Sequence, residues 1–310
     1  MTSLSASRGL TINNLRAKHK DQRNTPGIES ERGKDMLRES TMRMLEEYGV
    51  QLDPALDEQQ IVDHEVIQAL IEVAEVEAGD TVLEIGAGTG NITVELAHRA
   101  VKIIAIEKNP KFMPLLVERT ANYPNVTLIQ GDALTTRLPP FTKLVSNLPY
   151  SISEAVLNHL IPLKFERAAI IVPQSYAKTL MVRPSERGYT KLSIVANSFF
   201  NVQYMRDVSS DAYLPPSKTK TGIVLLEPKE ARNRAEDILC RTLLQGDRKL
   251  KNALREAIIA SSNVYGGPST KRGAMTQIET IGVGRRTLEK PVARLSLKEL
   301  QTVVGGLSRI

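Results

Sequence analysis

The chain has 310 residues, of which 41% are hydrophobic and 25% charged, a balance typical of a folded chain with a substantial core. Its single cysteine, Cys240, excludes an internal disulfide and a thiolate metal cluster and favours a reducing compartment, and no apolar run approaches the roughly 18 residues of a membrane helix. The net charge of +6 is concentrated in residues 231–310, which hold 15 Lys and Arg against 7 Asp and Glu; this excess favours a phosphate-bearing partner, with a solubilising helical surface as the alternative.

The N-terminal region divides into a polar arm and two predicted helices. The composition of residues 1–30 predicts disorder, and its basic residues leave open an organelle transit peptide or an RNA-binding arm. A helix is predicted from Glu31 to Tyr48, with Ser30 as its cap and Gly49 at its end. Apolar residues at helical spacing predict a second helix from Gln59 to Val76.

From residue 81 the pattern alternates between short apolar strands and helices, which is typical of a parallel sheet covered by helices on both faces. The predicted strands are Thr81–Ile85, Val101–Ile106, Val126–Ile129, Leu144–Ser146 and Ala168–Val172. The predicted helices are Asn91–Arg99, Phe112–Thr120, Glu154–Leu160 and Gln174–Met181. Strand-like segments without long helices between them predict an antiparallel hairpin at the edge of the sheet: Lys191–Phe200, Val202–Val208 and Thr221–Leu226.

The pattern changes again near residue 230, where the strand signal ends and the basic residues begin. Helices are predicted over Ala231–Leu244, Lys249–Ser261 and Ser296–Gly305. The sequence therefore predicts an α/β chain in three parts: an N-terminal extension over residues 1–56, a Rossmann-like and mostly parallel sheet domain over 57–229, and a small basic helical RNA-binding domain over 230–310.

A glycine-rich loop, Gly86–Gly90, joins the first predicted strand to its helix. Its G-x-G-x-G spacing differs from the G-x-G-x-x-G of dinucleotide sites and argues against NAD. Glu107 and Asp132 follow the next two strands, where carboxylates can accept the ribose hydroxyls and the adenine amino group of a cofactor. Each feature alone is compatible with a tight turn, a helix cap or a solvated loop. All three at strand ends predict a nucleoside cofactor site.

The segment Asn147-Leu148-Pro149-Tyr150 follows the fourth predicted strand and carries different chemistry. The Asn147 side-chain oxygen and the Leu148 carbonyl can accept the two hydrogens of an aromatic amine, which favours a pyramidal nitrogen with an available lone pair. Pro149 fixes the turn and has no N–H, and Tyr150 can stack on a flipped base. The segment predicts alkylation of the adenine N6 by positioning and electrostatics without a strong base. A proline turn with a packed tyrosine is the structural alternative.

Together these segments resemble the ribosomal RNA adenine N6-dimethyltransferase family. The resemblance covers about residues 57–260 and rests on Glu84–Gly90, Glu107, Gly131-Asp132 and Asn147–Ser153, with further similarity at Tyr189–Val195, Tyr213–Lys218 and Leu243–Leu254. It implies an S-adenosylmethionine (SAM)-dependent methyltransferase that dimethylates adjacent adenosines of small-subunit rRNA. Two differences, Gln60 in place of a family aromatic residue and the extension before residue 57, identify a divergent member.

The resemblance also implies roles for individual residues. Gly86 would contact the methionine part of the cofactor, Gln59 and Ile61 would occupy cofactor-contacting positions, and Tyr213 would face the flipped base opposite Tyr150. The expected cofactor-binding residues are therefore Gln59, Ile61, Glu84, Gly86, Gly88, Glu107, Asp132 and Asn147. The expected catalytic residues are Asn147, Leu148, Pro149, Tyr150 and Tyr213.

Other functions remain open at this stage. The altered segment Asp57–Asp63 is also compatible with a catalytically weak or inactive methyltransferase fold that serves as a ribosome-assembly or transcription factor. The same catalytic segment is compatible with adenine in another RNA or in DNA. We expect a cytoplasmic monomer, with organelle targeting as the less favoured alternative, that binds rRNA within a small-subunit particle and needs no metal or membrane. The first candidates for RNA contact are Arg248, Lys249, Lys251, Arg255, Lys271, Arg272, Arg285 and Arg286.

Overall fold

The N-terminal helix is longer than the sequence predicts. The computed structural model describes residues 26–183, 186–231 and 233–310, with side chains from residue 36 onward; predictions for the polar arm before residue 26 lie outside these residues. Helix α1 spans Pro26–Glu47, and proline is favoured in a first helical turn. Residues 26–30 are therefore helical and not disordered, and Ser30 lies inside the helix, so the prediction that Ser30 caps it is wrong. Gly49 follows the helix end with φ of +63°.

The central element is a seven-stranded sheet. Its strands are β2 (Thr81–Ile85), β3 (Lys102–Glu107), β4 (Val126–Gln130), β5 (Lys143–Asn147), β6 (Arg167–Pro173), β7 (Phe200–Val208) and β9 (Thr221–Pro228). Their order is β4-β3-β2-β5-β6-β9-β7. The five strands from β4 to β6 in this order are parallel, and β9 runs antiparallel to both β6 and β7. This confirms the predicted Rossmann-like sheet with an antiparallel edge.

The strand order fixes where a ligand site can form. From β2 the chain adds β3 and then β4 on one side of the sheet. It then returns to add β5 on the other side of β2, so the direction in which strands are added reverses between β2 and β5. Ligands of open α/β sheets bind at the carboxyl ends of the strands beside such a reversal. The glycine loop after β2, Glu107 at the end of β3 and Asn147 at the end of β5 therefore meet at one edge.

Helices cover both faces of the sheet, and a further group of helices follows the last strand in the sequence. They are α2 (His64–Val73), α3 (Asn91–Ala97), α4 (Met113–Thr120), α5 (Ser153–Leu160), α6 (Gln174–Met181), α7 (Lys191–Phe199), α8 (Arg234–Leu243), α9 (Leu250–Tyr265), α10 (Lys271–Thr280), α11 (Arg285–Leu288) and α12 (Leu297–Leu307). Within the described ranges, no helix is long and apolar enough to cross a membrane.

Three buried apolar clusters hold these layers together. Val82 of β2 belongs to the cluster under α2–α4, and its neighbour Leu83 belongs to the cluster under α5–α7. This follows because successive side chains of a strand point to opposite faces of the sheet. A third cluster joins α8, α9, α10 and α12 and includes Ile194 of α7. Each fully buried Leu or Ile side chain stabilises the fold by about 1.5–3 kcal/mol.

Two predicted elements are wrong. Lys191–Phe200 was predicted as a strand from its apolar run, but Lys191–Phe199 forms α7. The reason is a capping box, in which the Thr190 hydroxyl accepts from the Ser193 amide and the Ser193 hydroxyl from the Thr190 amide. The edge hairpin therefore consists of β7 and β9 alone.

The second error concerns the helix predicted from Gln59. Helix α2 begins only at His64, where the Asp63 side chain accepts hydrogen bonds from the amides of Glu65 and Val66. The preceding Gln60–Ile61 forms strand β1, which pairs antiparallel with β8 (Tyr213–Leu214) in a separate two-stranded sheet. Helices α10 and α11 were not predicted.

Candidate active site

A cavity of about 450 Å³ lies at the carboxyl-terminal edge of the sheet. Its walls come from the glycine loop, the ends of β3 and β5, the loop after β4, and residues 56–61. Its volume is within the range of small-molecule sites. Every predicted cofactor-binding residue lines it: Gln59, Ile61, Glu84, Gly86, Gly88, Glu107, Asp132 and Asn147. Among the predicted catalytic residues, Asn147 and Pro149 line the cavity, whereas Leu148, Tyr150 and Tyr213 do not.

The glycine loop brings backbone to the cavity wall. Gly86 and Gly88 have φ of +79° and +52°, a region that favours glycine. A Cβ on Gly88 would lie 2.2 Å from the Oε1 atom of Gln60. The Gly86 amide donates to the Ile106 carbonyl at 2.8 Å, which ties the loop to β3. A side chain at Gly88 would therefore collide with Gln60, so the close approach of these two segments requires glycine there.

Two carboxylates, Glu107 at the end of β3 and Asp132 after β4, are held by backbone amides. Glu107 is buried, and its Oε2 and Oε1 accept from the amides of Gly88 at 2.8 Å and Asn109 at 2.7 Å. Burial raises the pKa of Glu107, and these two hydrogen bonds oppose the shift. Asp132 accepts from the Leu134 amide at 2.9 Å and lies 3.0 Å from the Lys108 ammonium; both interactions lower its pKa. Each carboxylate oxygen retains a lone pair for a ligand donor.

Glu84 is the most strongly perturbed acid of the cavity. It is fully buried at the end of β2, and its carboxyl accepts from the Thr93 hydroxyl. Burial raises its pKa to about 8, the hydrogen bond from Thr93 opposes the shift, and repulsion by Glu107 adds to it. Burial of Glu84 therefore favours the neutral form of its carboxyl group.

This shift predicts a pH-dependent stability. Unfolding lowers the pKa of Glu84 from about 8 to 4.5, so the native state binds more protons between these pH values. The contribution of Glu84 to the free energy of unfolding is complete below pH 4.5 and falls as pH rises to 8, by at most about 1.4 kcal/mol per pH unit. Urea denaturation without SAM, at pH 5.5 and 8.5, should show Glu84→Gln gaining stability relative to the wild type as pH rises. A pH-independent difference between the two proteins would contradict the assignment.

The segment at residues 53–61 covers the cavity through polar contacts. The Gln60 Oε1 atom accepts from the Thr89 amide at 2.9 Å and its hydroxyl at 3.1 Å. Glu58, which is buried, accepts from the Asn109 side chain at 2.8 Å and from the Lys111 ammonium at 2.6 Å. The segment is therefore fastened to the glycine loop and to the loop after β3. Sequence reasoning missed these contacts.

Removal of the Gln60 side chain should weaken SAM binding. In Gln60→Ala the Thr89 amide loses its acceptor, and at about 1 kcal/mol for each lost hydrogen bond the Kd for SAM should rise about 5–20-fold. Calorimetric titration measures this change. The matched control is Gln51→Ala, since the Gln51 side chain is exposed. A Kd for Gln60→Ala within twofold of the wild type would show that the contact does not support the site.

Asn147 presents an unpaired oxygen. Its Nδ2 donates to the Gln59 carbonyl at 3.2 Å, which orients the amide. Its Oδ1 is buried and has no hydrogen-bond partner among the described residues. The Leu148 amide donates to the Ile171 carbonyl at 3.3 Å, and within the described ranges no backbone donor contacts the Leu148 carbonyl. Buried polar atoms without partners are rare and mark places where a ligand supplies the missing hydrogen bond.

The two predicted stacking tyrosines are not among the residues that line the cavity. Tyr213 is fully buried, and its hydroxyl lies 2.7 Å from the Thr221 hydroxyl. Burial is the main cause that raises the pKa of Tyr213, and the neighbouring Tyr150 adds to the shift. The Tyr150 hydroxyl is also buried and interacts with the Tyr213 hydroxyl. The structure therefore brings the two tyrosines near each other but not to the cavity surface. Their roles toward a base stay predictions.

The basic candidates for RNA contact are exposed to different degrees. Arg248, Lys249, Lys271, Arg272, Arg285 and Arg286 are exposed, whereas Lys251 and Arg255 are half-buried. Lys249 and Lys251 share Glu289, with distances of 2.9 Å and 2.5 Å. These ion pairs neutralise part of the positive charge. Within the described residues there is no group of three or more acidic, histidine or cysteine side chains that could hold a metal ion.

The fold and the cavity define a Rossmann-like SAM-dependent methyltransferase. Among solved structures, a dimethyladenosine transferase from Plasmodium falciparum shares the fold with a TM-score of 0.53 and 23% identity, over 77% of this chain and 94% of that one. The 23S rRNA methyltransferase ErmE gives a TM-score of 0.52 and 22% identity, over 79% of this chain and 98% of that one. The sequence model of the ribosomal RNA adenine dimethylase family matches residues 51–258. The chain belongs to this family, whose members use SAM to methylate adenine in ribosomal RNA.

Curated relatives agree with this assignment. The probable ribosomal RNA small subunit methyltransferase A of Pyrococcus abyssi is 33% identical over 222 residues, which is 71% of this chain and 82% of that protein. The protein of the same description from Thermococcus onnurineus is 30% identical over 273 residues, 87% of this chain and 98% of that protein. The similarity thus extends over nearly the whole length of the second relative.

Proposed function

We propose that this protein dimethylates the N6 atoms of adjacent adenosines in small-subunit rRNA. The single observation that carries the proposal is the buried Oδ1 of Asn147 beside the cavity, which has no hydrogen-bond partner in the part of the chain that the structure describes. The names of the archaeal relatives support the small subunit as the source of the RNA. The catalytic segment and the cavity support an amine acceptor held next to the cofactor.

The cavity residues fit SAM. The glycine loop and the carboxylates of Glu107 and Asp132 suit a ligand with a ribose, an adenine and a charged tail. Glu107 would accept the ribose hydroxyls, Asp132 the adenine amino group, and the Gly86 backbone would contact the methionine part. Gln59, which precedes β1, and Ile61 of β1 would also contact the cofactor. When bound, SAM supplies an electrophilic methyl group.

The chain's own residues would orient the target amine. Asn147 Oδ1 and the Leu148 carbonyl would accept the two N6 hydrogens, which favours a pyramidal nitrogen whose lone pair is available. Pro149 fixes this turn, with φ of −55°, and Tyr150 would stack on the flipped adenine, with Tyr213 behind it. Catalysis then depends on positioning and on electrostatics without a strong base, since the amine loses its proton only after it becomes cationic.

Transfer of a labelled methyl group to small-subunit particles tests the function. Particles from a strain without the endogenous dimethylase are incubated with the protein and labelled SAM, and the RNA is digested to nucleosides for mass spectrometry. We expect N6,N6-dimethyladenosine at two adjacent positions. Label that appears only in large-subunit RNA, transfer RNA or DNA would reassign the substrate. SAM binding without transfer to any of these would contradict the proposal.

The helices after residue 230 are proposed to hold the RNA through phosphate contacts. Reversal of the exposed pair Arg248 and Lys249 to Glu should weaken RNA binding and reduce the slope of log K against log salt by about 1–2, at about 0.7–0.9 per phosphate contact. Filter binding over a series of salt concentrations measures the slope. Reversal of Lys102 and Lys164, exposed residues at the start of β3 and just before β6, is the matched control. A slope that the reversal of Arg248 and Lys249 leaves unchanged would place the RNA elsewhere, and an equal loss of slope in both double variants would indicate a general effect of net charge and contradict the proposed contact.

A further inference from the structure

Helix α1 lies outside the region that the family model matches but contacts the active-site region. The match begins at residue 51, whereas α1 ends at Glu47. Leu45 of α1 is buried in the same apolar cluster as Ile67 and Leu70 of α2. Helix α1 is therefore packed against the domain and is not a free arm.

One side chain of α1 holds strand β8. The Arg38 guanidinium donates to the Tyr213 carbonyl at 3.2 Å and to the Asp211 carbonyl. Charge-assisted hydrogen bonds from the fixed fork of arginine are stronger than neutral ones. These contacts fix the backbone of the strand that carries Tyr213, the residue proposed to lie behind the flipped base.

A second side chain of α1 acts on β1. Thr41 is fully buried, and its hydroxyl lies 3.2 Å from Asn91 Nδ2. The same Asn91 nitrogen donates to the Ile61 carbonyl at 2.7 Å. Thr41 thus supports, through Asn91, the strand whose flanking Gln59 carbonyl orients the Asn147 amide.

The small sheet needs such support. Strands β1 and β8 have two residues each and pair only Gln60 with Leu214 and Ile61 with Tyr213. Isolated pairs of strands are marginally stable in water. A displacement of about 1 Å in a catalytic geometry can cost about 10²-fold in rate. An external brace would therefore have a large effect on the site.

We propose that α1 is a positioning element of the active site, in which Arg38 fixes β8 on the base side and Thr41, through Asn91, fixes β1 on the cofactor side. The role of Arg38 at β8 rests on the proposed function, because it concerns the flipped base. The role of Thr41 at β1 rests only on the binding of SAM. The two halves predict different defects for variants of one helix.

Full-length variants separate the two halves. Thr41→Val should raise the Kd for SAM, measured by calorimetry, about 5–20-fold, and Thr41→Ser, which keeps the hydroxyl, should stay within threefold of the wild type. Arg38→Gln should leave the Kd for SAM within threefold but lower kcat/KM for RNA about tenfold or more, with partial rescue by Arg38→Lys. The control is Arg43→Gln, the same change at an exposed position of α1, which should leave both quantities unchanged.

Amide hydrogen exchange gives a readout that needs no substrate. We expect faster exchange at residues 58–63 in Thr41→Val and at 211–215 in Arg38→Gln, with β2–β6 unchanged. Equal loss of protection over β2–β6 would overturn the proposal, because it would indicate global destabilisation. Wild-type exchange and SAM affinity in both variants, or an equal defect in Thr41→Ser and Thr41→Val, would also overturn it. If the wild type transfers no methyl group to RNA, the proposed function fails, while the exchange and SAM measurements still decide the role of α1.

Discussion

Replacement of Asn147 by alanine is expected to lower the rate of methyl transfer by about 10²–10³-fold while SAM still binds. The Asn147 side chain offers a buried oxygen that no described residue contacts by a hydrogen bond, and its amide nitrogen already donates to the Gln59 carbonyl. Its removal therefore takes away an acceptor for the target amine and only one internal hydrogen bond. Single-turnover kinetics with small-subunit particles measure the rate, and calorimetry measures SAM binding.

The control for this prediction is Asn201→Ala, an identical change on the exposed face of edge strand β7. It should transfer methyl groups at the wild-type rate. Thermal unfolding of Asn147→Ala should remain cooperative, so that a loss of rate is not a loss of fold. Full activity in a folded Asn147→Ala protein would remove the chemical basis of the proposal.

Replacement of Glu107 by alanine is expected to weaken SAM binding about 30–100-fold. The carboxylate is placed to accept the ribose hydroxyls, and hydrogen bonds to a charged group contribute about 1.5–3 kcal/mol. Its loss also leaves the amides of Gly88 and Asn109 without their acceptor, so the variant should unfold at a lower temperature. Calorimetric titration at 10 °C, where the folded state persists, separates the two effects.

Glu118→Ala is the matched control, since it removes an exposed carboxylate from α4, the next helix after β3. It should bind SAM as the wild type does. If Glu107→Ala binds SAM within threefold of the wild type, the ribose is held by other residues. The carboxylate would then serve only to fix the glycine loop.

The sequence predicted the sheet more accurately than its surroundings. Thr81–Ile85 and Gln174–Met181 have the predicted bounds, because continuous apolar runs and turn residues are local signals. Lys191–Phe199 was assigned the wrong state because its β-branched, apolar run favours a strand, while the capping box at Thr190 and the burial of Ile194 and Ala196 decide for a helix. Strand β1 was missed because it exists only through pairing with β8, about 150 residues away.

The site shows the same division between local and long-range signals. The strand ends and the family resemblance together identified eight candidate cofactor residues, and the structure brings all of them to one cavity. Their contacts with SAM stay proposals. Gln60 stood out in the sequence only as a departure from the family pattern. Its partner Thr89 is 29 residues away, and Asn109 is 51 residues from Glu58, so no local pattern indicates these contacts.

The most direct test of the catalytic proposal is a structure of the protein with S-adenosylhomocysteine and adenosine monophosphate. We predict that the adenine N6 atom lies within about 3 Å of both Asn147 Oδ1 and the Leu148 carbonyl oxygen, with the adenine ring against Tyr150. An adenine bound with N6 away from both oxygens, while Asn147 Oδ1 contacts a protein donor, would contradict the account.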